Sequence, residues 1–192
     1  MVVPTFYFQP EDILNLNFAI PIYYGRKYCI LRKHSTTYKF NHTYLITFGG
    51  SDPNDLTTKI LNVIYKEVNS NEIVVLLGKG ALKKKQNIRK DFPNVTIISD
   101  LPSTFEVINS SKLIFTSLGT TIQEIEATQK KAVICFNYLN DFDDFKKIKS
   151  TSNNKSFWLN GGHHIKLNKK SIKTFIKEIN YNVNNNEDLN WG

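Results

Sequence analysis

The chain is short of sulfur. Its 192 residues include two cysteines and one methionine. Two cysteines, Cys29 and Cys135, make no disulfide framework, and both sit in apolar runs, so they read as buried thiols in a reducing, cytoplasmic setting. No apolar run approaches the roughly 20 residues that a membrane span needs. The first residues, Met-Val-Val-Pro-Thr, lack the charged and apolar regions of a signal peptide. There is no Gly-Lys-Ser/Thr of a Walker A loop and no G-x-G-x-x-G dinucleotide fingerprint. His163-His164 follows two glycines, but no Cys, Glu or third His stands at ligand spacing, so no metal site is expected. His34 and His42 have no carboxylate partner in the local pattern, and the acidic Asp141, Asp143 and Asp144 are ordinary at a helix start.

What is present is a basic globular composition. The net charge is +8 with a pI of about 9.3, hydrophobic content is 41% and aromatic content 12%. A basic chain favours anionic ligands. The run Lys83-Lys84-Lys85 carries no interleaved aromatics and reads as a solvated helix face, and no helix-turn-helix or RNA-binding signature appears. Nucleic acid is therefore not an expected partner.

From residue 43 the chain alternates short apolar runs with helical patterns. Strands are expected at 43–48, 72–77, 95–98, 112–116 and 132–136, with a further short one near Phe157-Trp-Leu. Helices are expected near 54–68, 80–90, 103–109, 120–128, 139–149 and 168–180. Continuous apolar strands alternating with helices predict an α/β fold: a Rossmann-like parallel sheet with helices on both faces. Residues 1–42 lack this rhythm and read as an irregular aromatic arm, 43–181 as the lobe, and the Asn-rich 182–192 as a frayed tail.

In such a sheet ligands bind beyond the carboxyl ends of the strands. Two loops there have suitable chemistry. The first is Tyr44-Leu-Ile-Thr-Phe-Gly-Gly-Ser-Asp-Pro-Asn54, a strand, a glycine turn and a helix start. Gly49 and Gly50 let the backbone approach a ligand, Ser51 or Asp52 can cap the helix, and free N–H groups at its start attract phosphate. The same pattern also fits a plain tight turn. The second is Ser117-Leu-Gly-Thr-Thr-Ile-Gln-Glu124. Thr120, Thr121 and backbone N–H groups suit a diphosphate, and Glu124 can accept from a ribose diol. Thr121-x-x-Glu124 equally has capping-box spacing, which would spend Glu124 on the backbone.

Together the two loops resemble a known family. Leu45-Ile-Thr-Phe-Gly-Gly-Ser-Asp-Pro-Asn-Asp-Leu-Thr57 is similar to the start of the C-terminal lobe of PseG-like UDP-sugar hydrolases. Tyr24-Gly-Arg-Lys-Tyr-Cys-Ile-Leu-Arg32 is similar to their interdomain segment, and Ser117 to Glu124 resembles the nucleotide loop shared with MurG-type glycosyltransferases, the glycosyltransferase family 28 C-terminal domain. The resemblance covers roughly residues 20–150 and implies one C-terminal lobe of a two-lobed GT-B fold. It implies that Gly49, Gly50, Ser51 and Asp52 line the cleft near the diphosphate and sugar. By the same resemblance Ser117, Leu118, Gly119, Thr120 and Thr121 hold the diphosphate, Glu124 the ribose, and the backbone near Leu101 the uracil. It further implies a UDP-sugar ligand, no cofactor, and an N-terminal lobe from a partner polypeptide, or a homodimer sharing the cleft. The family's Asn-Gln pair after the fifth strand reads Asn137-Tyr-Leu-Asn-Asp141 here, without the Gln, and no histidine matches the catalytic one. The catalytic base is thus unknown from the sequence.

Overall fold

The computed structural model describes residues 2–3, 21, 23–24, 42–99, 101, 103–151 and 158–184. Most of the expected arm, with Cys29, His34 and the interdomain-like segment, lies outside these residues, as does the tail beyond 184. Two short strands, β1 (Val2–Val3) and β2 (Tyr23–Tyr24), pair in parallel.

Among the described residues the main sheet has seven strands: β3 (Tyr44–Ile46), β4 (Ile73–Leu77), β5 (Thr96–Ser99), β6 (Leu113–Ser117), β7 (Lys131–Phe136), β8 (Trp158–His163) and β9 (Lys166–Leu167). Their spatial order is β5-β4-β3-β6-β7-β8-β9. Every pair is parallel except the β8–β9 hairpin. The chain builds outward from β3 to β5, then returns to the other side of β3 with β6. Strand order therefore reverses between β3 and β6, the place where a doubly wound sheet opens a crevice at its carboxyl edge.

Among the described residues six helices cover the sheet: α1 (Leu56–Ile64), α2 (Lys85–Asp91), α3 (Phe105–Ser110), α4 (Thr121–Ala127), α5 (Asp141–Thr151) and α6 (Lys169–Asn184). Alternate strand residues feed two separate cores. Tyr44, Ile46, Val75, Phe115 and Val133 pack with Ile60, Leu61, Ile88, Ile172 and Ile176 from α1, α2 and α6. Leu45, Val74, Ile114, Ile134 and Trp158 pack with Val107, Ile122, Ile125 and Ile148 from α3, α4 and α5. The period-2 alternation explains the wholly apolar strands, because each residue has a buried face to enter. Tyr44 shows one exception handled locally: its buried hydroxyl donates to Asn180 Oδ1.

Four local expectations are corrected. The helix after the first loop starts at Leu56 rather than near 54, because Asp52 (φ 44°) and Asp55 (φ 54°) adopt left-handed backbone that a helix cannot contain. Part of the expected helix at 80–90 is a 3₁₀ stretch over Lys79–Lys84, followed by α2. Gly161-Gly162 does not end the last parallel strand but lies inside β8. The register slips between Ile134 and Cys135 there, leaving Gly161 as the extra residue of a bulge. A Cβ on Gly161 would sit 2.6 Å from Cys135 Sγ. At the far end, α6 runs on to Asn184, past the expected lobe boundary at 181.

Candidate functional site

A cleft of about 500 Å³ opens at the carboxyl edge of the sheet, over the β3/β6 reversal. Its floor and one wall are the strand ends Thr47, Leu76 and Leu77. Gly49 and Gly50 come from the loop after β3, Gly78 and Lys79 from the loop after β4, and Leu101 and Thr104 from the loop after β5. Thr120, Thr121, Gln123 and Glu124 close it from the start of α4.

The rim is set by backbone packed on backbone. The register pairs Ile46 with Val75, so Gly49 stands opposite Gly78. A Cβ on Gly78 would lie 2.5 Å from Gly49 O and 2.5 Å from Gly50 Cα. Gly80 N–H donates to Gly50 O at 2.9 Å. Gly49 needs to be glycine for a different reason, its φ of 71°. The two loops thus form one continuous rim, and at Gly78 its seam leaves no room for a side chain.

Asp52 does something other than line this cleft. Its side chain is 2% exposed. Oδ1 accepts from Leu56 N–H at 2.8 Å and Oδ2 from Thr57 N–H at 3.2 Å. The N–H groups expected to attract a phosphate at the start of α1 are therefore taken by the protein's own carboxylate. Lys84 reaches across from the 3₁₀ stretch, with Nζ 2.6 Å from Asp52 O, 3.1 Å from Asp52 Oδ2 and 3.1 Å from Asp55 Oδ1. Lys84 is 18% exposed and paired, so the lysine run is not wholly a solvated face.

Glu124 lines the opposite wall. The helix cap is Thr120, which makes no side-chain capping bond, and Thr121 is already the first helical residue. The Thr121–Glu124 capping box does not form. Instead Glu124 Oε2 accepts from the Thr104 hydroxyl, across from the loop after β5. Its Oε1 accepts no hydrogen bond among the described residues. Leu101, which packs against the second core cluster, lines the same cleft and adds an apolar surface to it.

Of the eleven residues expected from sequence, Gly49, Gly50, Leu101, Thr120, Thr121 and Glu124 line the cleft. Ser51 and Asp52 belong to the turn behind the rim, Ser117 is buried at the end of β6, Leu118 packs onto the core, and Gly119 sits in open space before α4. Thr47, Leu76, Leu77, Gly78, Lys79, Thr104 and Gln123 also line the cleft, beyond the residues expected from sequence. Gly78-Lys-Gly80 closing a strand was the one visible signal among them.

The remaining candidates lie elsewhere. His163 and His164 stand at the end of β8 with ring centroids 4.2 Å apart and do not line the cleft. His164 has its pKa lowered, first by partial desolvation, then by His163 and Lys59 nearby. Among the described residues no three His, Cys, Asp or Glu side chains cluster as metal ligands. His42 is buried at the amino end of β3, away from the cleft, with Nε2 2.8 Å from Ser111 Oγ. Burial lowers its pKa to about 4 against a smaller opposing effect of the Val107 carbonyl. Cys135 is buried, and burial pushes its thiol pKa well up. Asn54 Nδ2 donates to Asn137 O at 3.2 Å and Oδ1 at 3.1 Å, tying the loop after β7 to the first loop.

The architecture has a solved counterpart. The crystal structure of the glycotransferase of kitacinnamycin superposes with a TM-score of 0.54 at 11% identity, covering 78% of this chain and 38% of that one. The spinosyn rhamnosyltransferase SpnG, complexed with thymidine diphosphate, is more distant, with a TM-score of 0.45 at 10% identity, covering 74% of this chain and 38% of that one. The first of these matches, with the sheet topology, makes the fold a Rossmann-like lobe of GT-B type. In sequence, the chain is 28% identical over 184 residues to Uncharacterized protein MJ1062 of Methanocaldococcus jannaschii, matching 82% of this chain and 38% of that protein. No family model matches the chain. The chain spans about two fifths of the length of the curated relative and of the solved structures it resembles. Among the described residues no helix is long and apolar enough to cross a membrane.

Proposed function

We propose that this chain binds the UDP part of a nucleotide sugar in the cleft. On this reading it is the nucleotide lobe of a PseG-like hydrolase that releases UDP from an amino sugar in the cytoplasm. The observation that carries the reading is Glu124. One carboxylate oxygen is held by Thr104, the other has no partner among the described residues, and the apolar Leu101 lines the same cleft. A ribose diol needs such an acceptor, and a base needs such an apolar seat. Thr120, Thr121 and Lys79 then face the diphosphate, with Gly49 and Gly50 allowing its close approach.

In the reaction, the bond between the sugar's anomeric carbon and the diphosphate oxygen breaks, water adds to that carbon, and UDP departs. Transfer to a hydroxyl acceptor, as in MurG-type enzymes, breaks the same bond and would use the same lobe. Among the described residues the lining offers one carboxylate and one ammonium and no histidine. Activation of water or acceptor is therefore assigned to an opposing wall, from a second lobe or a second copy of the chain.

Calorimetric titration with UDP tests the reading. One-to-one binding that is lost in Glu124→Ala supports it. No heat at millimolar UDP, with the protein folded by circular dichroism, removes it.

A further inference from the structure

We infer that Lys84 is a positioning residue for the phosphate side of the cleft, an inference that rests on the nucleotide reading above. The observation is a convergence of oxygens on one ammonium. Lys84 Nζ lies 2.6 Å from Asp52 O, 3.1 Å from Asp52 Oδ2 and 3.1 Å from Asp55 Oδ1. Both acidic residues hold left-handed backbone, Asp52 at φ 44° and Asp55 at φ 54°. Non-glycine residues occupy that region only when their surroundings over-determine it. Here the surroundings are the ammonium and the start of α1, whose Leu56 and Thr57 N–H groups bind the Asp52 carboxylate.

The consequence reaches the cleft through the chain. Gly49 and Gly50 lie three and two residues before Asp52, and Lys79 lies five before Lys84. Gly80 N–H also bonds Gly50 O at 2.9 Å. The turn after β3 and the 3₁₀ stretch after β4 are thereby joined at two points, one backbone bond beside the cleft and one ionic clamp behind it. Lys84 does not line the cleft itself. It fixes where Gly49, Gly50 and Lys79 stand, and hence how closely a diphosphate can approach. The nucleoside side, Leu101, Thr104 and Glu124, sits on other loops that the clamp does not touch.

This separation gives a test that a general loss of stability would not mimic. The affinities of the full chain for UDP and for uridine are measured by ligand-observed NMR competition, in parent, Lys84→Met and Lys84→Arg proteins. Removing the clamp weakens UDP about tenfold, the size of one compromised hydrogen bond to a charged group. Uridine affinity stays within about twofold of the parent, since its contacts lie on unaffected loops. Lys84→Arg, which keeps the charge, recovers most of the UDP affinity. Equal weakening of UDP and uridine, or no weakening in a folded Lys84→Met protein, overturns the inference. If Lys84→Met does not fold, Asp55→Asn carries the same comparison, because Asp55 is 46% exposed and its loss removes only one arm of the clamp. If the parent protein binds neither ligand, the nucleotide reading falls, and this inference with it. Parent binding without the differential effect removes the clamp alone.

Discussion

Replacing Gly78 by alanine isolates the feature that shapes the cleft rim. The backbone at Gly78 is extended, φ −72° and ψ 164°, so alanine adopts it without strain. On conformational grounds alone the substitution would stabilise by about 0.4–1 kcal/mol, by restricting the unfolded chain. The contacts say the opposite. The new methyl would lie 2.5 Å from Gly49 O, 2.5 Å from Gly50 Cα and 2.7 Å from Gly50 O. All three are backbone atoms, with no flexible side chain to swing aside. Relief requires moving the loop after β3, which Gly80 N–H and Lys84 both hold. Forced insertion of this kind costs about 1–3 kcal/mol and exceeds the entropic gain. Gly50→Ala is the control, because a Cβ there meets nothing within 4 Å. Urea denaturation of both variants reads the difference. Gly78→Ala is expected to lose about 1–2 kcal/mol net, lowering Tm by roughly 2–8 °C for a chain of this size, while Gly50→Ala stays near the parent. Equal stability of Gly78→Ala and the parent would refute the backbone-on-backbone seam.

Other outcomes follow from the same structure. Glu124→Gln keeps the volume but removes the charge, and is expected to weaken UDP by about tenfold in calorimetry, as for one charge-assisted hydrogen bond. His42 is held neutral, with its pKa lowered from the usual 6.5 to about 4. Between these values the unfolded chain binds the extra proton, so stability is full above about pH 6.5 and falls as pH drops towards 4, by up to about 3 kcal/mol. Urea titrations at pH 8, 6 and 4 should show that slope, and His42→Gln should flatten it. Cys135 should resist thiol reagents in the native protein and label only after unfolding, read by peptide mass mapping. Ile60→Ala, at a wholly buried position on α1, should cost about 2–5 kcal/mol by urea denaturation.

The sheet was legible because its signal is local. Each apolar run, such as Ile73 to Leu77 or Leu113 to Phe115, declares a strand buried on both faces. The loops after β3 and β6 were legible too, because glycines and hydroxyls stand where strands end. What escaped depends on neighbours distant in sequence. Gly78 matters because β4 pairs beside β3, and Thr104 because its hydroxyl meets Glu124 twenty residues on. Asp52 looked like a cap beside an open anion site, yet its own carboxylate fills that site. Lys84 looked solvated within a polar run, because nothing local says that two left-handed aspartates wait for it. Gly161 and Gly162 follow the short strand expected near Phe157-Trp-Leu, yet both lie inside β8, and a bulge against Cys135 explains the first of them.

Where a nucleotide binds on this chain is the most direct test of the cleft. A ¹⁵N-labelled chain titrated with UDP, followed by two-dimensional amide NMR, locates it residue by residue. The account predicts saturable shifts at Gly49, Gly50, Leu101, Thr104, Thr121 and Glu124, with the amino ends of the strands, around His42 and Ser111, unmoved. Shifts confined to exposed lysines, or none at millimolar UDP, would contradict it.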